Sequence, residues 1–246
     1  LIFRTDRIGD LLYTCPTIKT IKENISNSYI TLITSEKNYN YAKSFEFLNK
    51  VLLFPKKGFF NKLKFIRKLQ YINYDYIYIF DGKDRSIISA ILLKSKNKVS
   101  KIVNNKQKNI CKLFSIKYSF DIFGKDLNIT HEELLKKNGS TNKISNFDYL
   151  KYKKDNNFSK TIPFENFILV HLDEKWFSST YIKHYREINP SFENFSNFIK
   201  TLTDKNNKIV ITTGLTSNNL IERLMQYSIR RIGENVHIFN IKEDII

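Results

Sequence analysis

The chain has 246 residues, 41% of them hydrophobic and 26% charged, a globular composition that excludes an intrinsically disordered protein. Its formal net charge of +17 draws polyanions such as nucleic acid, anionic lipid or acidic glycans. Abundant Lys, Asn, Ile, Phe and Tyr beside few Gly, Pro and Arg is equally the bias of an AT-rich genome, which by itself carries no function.

Short β-rich runs alternate with segments of helical period, the pattern of βαβ units and a parallel sheet. Strands are expected at residues 1–4, 29–34, 50–54, 74–81, 98–103 and 118–122, with helices at 17–24, 38–47, 60–72, 84–94 and 107–114 between them. Residues 136–160 are polar, rich in Lys, Asn and Ser, and read as a linker. Periodicity resumes with a strand at 166–172, a helix at 192–203, a strand at 208–213 ending at Gly214, a helix at 218–228 and a strand at 236–241.

The expected architecture is α/β: two Rossmann-like domains facing a cleft, over residues 1–135 and 166–246, joined by a linker at 136–165. Leu1 already lies in a strand-like run and Ile246 follows the third strand of the second domain, so both ends are expected to be cut and the second domain incomplete. No run of about 18 apolar residues and no secretory leader is evident. Cys15 and Cys111 fit no metal or disulfide spacing, and the expected location is cytoplasmic.

Ligands of such sheets bind beyond the carboxyl ends of the strands. The first strand-to-helix connection, Arg4-Thr5-Asp6-Arg7-Ile8-Gly9-Asp10-Leu11-Leu12, gathers two carboxylates, two guanidinium groups and a glycine, with Pro16 expected near the start of a helix. Gly9 permits close backbone approach, and a helix start offers amide donors to an anion. A carboxylate here could take a proton from an attacking hydroxyl. Spacing alone favours Asp6 and Asp10 as caps paired with Arg4 and Arg7 over a chemical role. Asp81 and Arg85 either bind hydroxyl or acidic groups or satisfy each other. His171 reads as a structural histidine or a ligand contact, Lys175 as a phosphate contact or a solvated lysine, and Trp176 as a base-stacking ring or a loop anchor.

Arg-x-Asp-x-Ile-Gly-Asp-x-Leu, with a Pro six residues after the second Asp, closely resembles the N-terminal signature of the family 9 glycosyltransferases, the lipopolysaccharide heptosyltransferases and their relatives. Weaker segments follow in the family's order. Tyr74-Asp75-Tyr76-Ile77-Tyr78-Ile79-Phe80-Asp81-Gly82, then Arg85-Ser86 opening a helix, resembles its strand and acceptor-side loop. His131-Glu132-Glu133 resembles the segment before a helix and the linker, Phe167-Ile168-Leu169-Val170-His171 the first strand of the nucleotide-binding domain, and Thr213-Gly214 the end of the next.

The resemblance implies a bacterial enzyme of lipopolysaccharide biosynthesis on a GT-B scaffold. It would transfer heptose or a related sugar, with inversion, from a nucleotide-diphosphate donor to a lipopolysaccharide-core or other glycan acceptor. Asp10 matches the general base. Arg4, Asp6, Arg7, Gly9, Asp81 and Arg85 would face the acceptor, and His171, Lys175, Thr213 and Gly214 the donor. No cofactor is implied, and no metal, since lysine and helix amides would neutralise the leaving diphosphate.

The chain departs from the family after His171, where Leu172-Asp173-Glu174-Lys175-Trp176-Phe177 stands for the usual Pro-Gly and Lys and Trp-Pro loop, and the family's Asp-Ser-Gly-Pro-x-His segment would lie beyond Ile246. Competing readings are a degenerate homologue binding glycan or nucleotide without turnover, an epimerase-like nucleotide-sugar enzyme, and a basic nucleic-acid-binding protein. Against the last two, no Gly-x-Gly-x-x-Gly follows the first strand, and lysines are spread along the chain with no nucleic-acid motif, so no nucleic-acid partner is expected. The stretch Phe59-Phe60-Asn61-Lys62-Leu63-Lys64-Phe65-Ile66-Arg67-Lys68 reads as a helix with a solvated basic face, or as a peripheral contact with the inner face of an anionic inner membrane.

Overall fold

The computed structural model describes residues 1–121, 127–139, 162–172, 191–213 and 233–239. The chain divides into two units, Leu1–Lys151 and Tyr152–Ile246. In the first, strands and helices alternate as β1 (Ile2–Arg4), α1 (Ile8–Asn24), β2 (Thr31–Thr34), α2 (Glu36–Ala42), β3 (Lys50–Leu53), α3 (Phe59–Gln70), β4 (Asn73–Ile79), α4 (Asp84–Ile91), β5 (Lys94–Ile102), α5 (Asn105–Leu113), β6 (Lys117–Phe120) and α6 (Leu127–Lys137). The six strands form one parallel sheet in the order β3-β2-β1-β4-β5-β6, with Phe3 of β1 level with Ile33 of β2 and Ile79 of β4. Strand order reverses beside β1, which makes the β1/β4 boundary the topological switch point.

Side chains alternate between the two faces of each strand. Leu1 and Phe3, with Ile77 and Ile79, pack against α3, α4 and α5 through Ile66, Leu69, Ile87, Ala90 and Cys111. Ile2, with Tyr78 and Phe80, packs the other way against α1 and α6 through Leu11, Cys15, Ile18, Leu134 and Leu135. Helices on both faces explain why the central strands are almost continuously apolar. His131 is fully buried on the α6 side, edge-on to Phe80 at 4.9 Å between ring centroids and 3.0 Å from the Thr17 hydroxyl. Burial, reinforced by the charges of Arg4 and Lys101, lowers its pKa to about 3, so it serves as a neutral packing group.

Among the boundaries that differ from expectation, those nearest the site are informative. α1 starts at Ile8 rather than residue 17, because the Asp10 carboxylate accepts the Arg7 backbone N–H (3.3 Å) and starts the helix from a sequence that looks like loop. Pro16 is therefore inside the helix, not at its start. The lost N–H costs up to about 3 kcal/mol, offset by burial of Cys15, Pro16 and Ile18. β5 starts at Lys94 rather than residue 98, its polar first residues pairing with Asn73–Tyr76 of β4. His131-Glu132-Glu133 lie within α6 instead of preceding a helix.

The second unit shows β7 (Ile168–Leu172), α7 (Phe192–Thr203), β8 (Ile209–Thr213), a 3-10 turn at Gly233–Asn235 and β9 (Val236–Phe239). Its strands are parallel in the order β7-β8-β9, and Phe195 and Ile199 of α7 cover Leu172, Ile209 and Ile211. The helix expected at 218–228 lies outside the described residues, as does most of the expected linker. Among the described residues, no helix is long and apolar enough to cross a membrane.

Phe3 is wholly buried at the centre of the sheet. Phe3→Ala is expected to lower the unfolding free energy of the first unit by about 3–5 kcal/mol in urea titration, while Tyr71→Ala, at a surface position, stays within about 0.5 kcal/mol. Superimposable curves for Phe3→Ala and the parent would refute the central place given to β1.

Candidate active site

Beyond the carboxyl ends of β1 to β4 lies a pocket of about 320 Å³. Thr5, Asp6, Arg7 and Asp10 line it from the loop and helix after β1, Ser35, Glu36 and Lys37 after β2, Phe54 and Lys56 after β3, and Lys83 and Arg85 after β4. A larger cavity of about 620 Å³, between Leu1, Ile25, Tyr29, Ile72 and Tyr74, opens at the opposite edge of the sheet. The smaller pocket is the candidate, because ligand sites of doubly wound sheets form at the carboxyl edge and the switch point.

The β1–α1 loop owes its shape to Arg4. Its side chain is wholly buried, and its guanidinium donates to the carbonyl of Phe80 and, through Nε, to that of Asp10 at 2.9 Å. It also lies 3.2 Å from the Asp6 carboxylate and 3.7 Å from that of Asp10. The Arg4 carbonyl accepts from the Asn38 side chain at 3.1 Å, and Ser35, the cap of α2, donates to the Asp6 carbonyl at 3.0 Å. Arg4 is thus not on the pocket wall where an acceptor-binding residue was expected: it is an internal strut.

A second network holds the β4–α4 turn. Asp81, itself buried, accepts from the Thr5 hydroxyl (2.6 Å), the Thr5 N–H (3.2 Å), the Ser86 hydroxyl (2.7 Å) and the Lys83 N–H (3.2 Å). Arg85 donates to the Thr5 carbonyl at 2.9 Å and to its hydroxyl at 2.8 Å, with its guanidinium 5.6 Å from the centre of the Phe54 ring. Asp81 and Arg85 therefore meet through Thr5. Gly82 between them has φ +57°, and a Cβ there would come within 3.3 Å of the Lys101 side chain and carbonyl, so the turn requires glycine.

The two expected carboxylates have different surroundings. Asp10 keeps 41% of its side chain exposed, with one oxygen taking the Arg7 N–H and the other near Arg4. Asp6 is mostly buried, and desolvation, opposed by Arg4 and reinforced by Asp10 and Asp81, raises its pKa to about 6. Gly9 faces open space, its added Cβ meeting nothing within 4 Å. Around them stand Arg7, Lys37, Lys83 and Arg85, with Lys56 paired to Glu36 at 2.8 Å. Among the described residues, no three His, Cys, Asp or Glu side chains group to hold a metal ion.

Of the pocket residues, Thr5, Ser35, Glu36, Lys37, Phe54, Lys56 and Lys83 escaped the sequence reading. Each follows the end of a strand, and that position in an α/β alternation is the signal that could have found them. In the second unit, His171 and Thr213 lie at the carboxyl ends of adjacent strands β7 and β8, and the His171 ring is 3.0 Å from the Thr212 hydroxyl. Lys175, Trp176 and Gly214 lie outside the described residues.

Because folding raises the Asp6 pKa, the folded state binds more protons than the unfolded one between about pH 4 and 6. Asp6 therefore makes stability fall as pH rises through that window, by about 2–3 kcal/mol in total, and Asp6→Asn is expected to remove this component of the slope. Carboxyl-carbon NMR should give an Asp6 midpoint near 6. A midpoint near 4 would mean that the Arg4 contact cancels the effect of burial.

No family model and no curated protein matches this chain. Solved structures do. It aligns with E. coli heptosyltransferase WaaC bound to ADP-2-deoxy-2-fluoro heptose at 18% identity and TM-score 0.66, covering 97% of this chain and 75% of that one. It aligns with a family 9 glycosyltransferase from Veillonella parvula at 13% identity and TM-score 0.68, covering 99% and 69%. With E. coli ADP-heptose lipopolysaccharide heptosyltransferase II the identity is 8% and the TM-score 0.68, over 99% and 73%. This chain has the two-unit α/β fold that those family 9 glycosyltransferase and heptosyltransferase structures share.

Proposed function

We propose that this chain is a family 9 glycosyltransferase that moves heptose or a related sugar from a nucleotide-diphosphate donor to a glycan acceptor with inversion. The observation that carries the reading is Asp10: a solvent-reachable carboxylate in the switch-point pocket, on the loop that bears the Arg-x-Asp-x-Ile-Gly-Asp-x-Leu pattern. Asp10 takes the proton of an acceptor hydroxyl, and the oxygen attacks the anomeric carbon from the face opposite the diphosphate. A bond forms from acceptor oxygen to sugar as the bond to the diphosphate breaks, and the nucleoside diphosphate leaves with the electron pair.

Excess positive charge on the pocket wall, from Arg7, Lys37, Lys83 and Arg85, supports an acceptor carrying carboxylate or phosphate groups, such as a lipopolysaccharide core. Asp6 and Gly9 belong to the same loop, and Asp81 shapes it through Thr5. His171 and Thr213, at strand ends of the second unit, and Lys175 and Gly214 in the segments that follow are the donor-side candidates. The fold shared with a structure that holds an ADP-sugar analogue favours an adenine nucleotide donor.

Thermal shift against ADP-, UDP-, GDP- and CMP-sugars is expected to give selective stabilisation by ADP-sugars, about 2.7 kcal/mol at a hundredfold excess over Kd. Stabilisation by none of them, in a folded protein, favours a homologue without turnover. Asp10→Asn should lower turnover about 100-fold or more with donor affinity unchanged, and an unaltered rate removes Asp10 from the mechanism.

A further inference from the structure

Residues 55–74 carry six basic side chains, Lys56, Lys57, Lys62, Lys64, Arg67 and Lys68, and no acidic one. α3 occupies most of this stretch. It packs onto the sheet through Ile66 and Leu69, with Phe65 against the same core. Its opposite side is open: Phe60, Lys64, Arg67, Lys68 and Tyr71 are all exposed and, at helical spacing, form one outward stripe.

The ends of the stripe are aromatic. Phe60 is 82% exposed and Tyr71 90%, and Phe59, 74% exposed, stands beside Phe60 on the first turn although by helical spacing it is off the stripe. An isolated exposed ring needs no explanation, but three bracketing a run of cations on one helix are the composition of a helix that lies in a lipid interface. Among the described residues, the ion pair formed from this stretch is that of Lys56 with Glu36, so the remaining cations are available to an anionic partner.

We propose that the outer stripe of α3 seats on an anionic lipid bilayer, with Phe59 and Phe60 in the headgroup region and the lysine and arginine heads against lipid phosphates. Shape favours a bilayer over a nucleic acid. The stripe is the convex side of a helix about 18 Å long, suited to a plane. Its two phenylalanine rings pack edge-to-face on each other at 5.9 Å, leaving no groove in which a base could stack. The surface also adjoins the pocket, since Lys56 lines the pocket and Gly58 caps the start of α3. A seated helix would bring the rim of the pocket at Lys56 close to the membrane surface, where a lipid-linked acceptor presents its head. The bilayer contact itself rests on α3 alone and not on the transferase reading.

Co-sedimentation of the whole chain with vesicles tests it. Binding is expected to phosphatidylcholine vesicles containing phosphatidylglycerol, and not to phosphatidylcholine alone, with affinity falling steeply as salt is added. Each cation removed should weaken binding about fivefold, so the combined Lys64→Gln, Arg67→Gln and Lys68→Gln variant should lose about 100-fold. Phe59→Ser with Phe60→Ser should weaken binding at both low and high salt. These positions are exposed, and an unchanged circular dichroism melt would confirm that each variant is folded. Absence of binding to the anionic vesicles, or binding untouched by both variants, overturns the proposal. So does capture of a single-stranded oligonucleotide through the same residues in a protein that ignores vesicles. The assay contains neither sugar nucleotide nor acceptor, so its outcome is separate from that of the donor screen.

Discussion

A buried guanidinium is the constraint on which the candidate site depends. A charge removed from water must be paired and hydrogen-bonded, or the fold loses several kcal/mol. Arg4, at the end of the central strand β1, meets most of that demand by drawing in the carbonyls of Asp10 and Phe80 and the carboxylate of Asp6, while its Nη2 makes no hydrogen bond and faces the Asp10 carboxylate at 3.7 Å. Those groups come from the start of α1, the end of β4 and the loop between β1 and α1. Asn38 then ties the start of α2 to the Arg4 carbonyl. Three segments remote in sequence are thus held at one corner of the sheet, and the pocket is the space they enclose.

That arrangement sorts the carboxylates by environment. Asp81 is saturated with donors from Thr5, Lys83 and Ser86, which suits it to holding a turn. Asp6 is desolvated next to Arg4 and has its pKa pushed up to about 6. Of these three, Asp10 combines an anchored backbone with an exposed carboxylate in the pocket. Carboxylates in contrasting surroundings divide structural and chemical duties in many active sites. Here the division follows burial: Asp81 and Asp6 are enclosed by the turn and loop they hold, and Asp10 stands on the first turn of α1 with much of its side chain in solvent.

The cations divide in a similar way. Arg4 and Lys101 are buried and paired within the fold, Lys101 to Asp121 at 2.8 Å. Arg7, Lys37, Lys83 and Arg85 line the pocket, and those of α3 face outward from a helix whose first turn begins at the pocket rim. The net charge of +17 therefore contains at least three populations with different physical roles, which a sum over the sequence cannot separate.

The α/β alternation was legible in the sequence because strands covered on both faces are short apolar runs and helices repeat at 3.6 residues, both local signals. The helix at 192–203 was read to the residue, since its Ser191 cap and apolar stripe are adjacent in sequence. The loop from Arg4 to Leu12 stood out for its charges and its resemblance to a known signature. What tertiary structure alone decided was which groups meet there. The early start of α1 rests on a local bond between residues three apart that escaped the sequence reading, whereas the polar start of β5 depends on its pairing with β4 and the burial of Arg4 on a carbonyl from Phe80. Thr5, Ser35, Lys56 and Lys83 share a pocket because parallel strands in the order β3-β2-β1-β4 bring their carboxyl ends to one edge. Strand order is set by packing between distant segments, and no local pattern of residues encodes it.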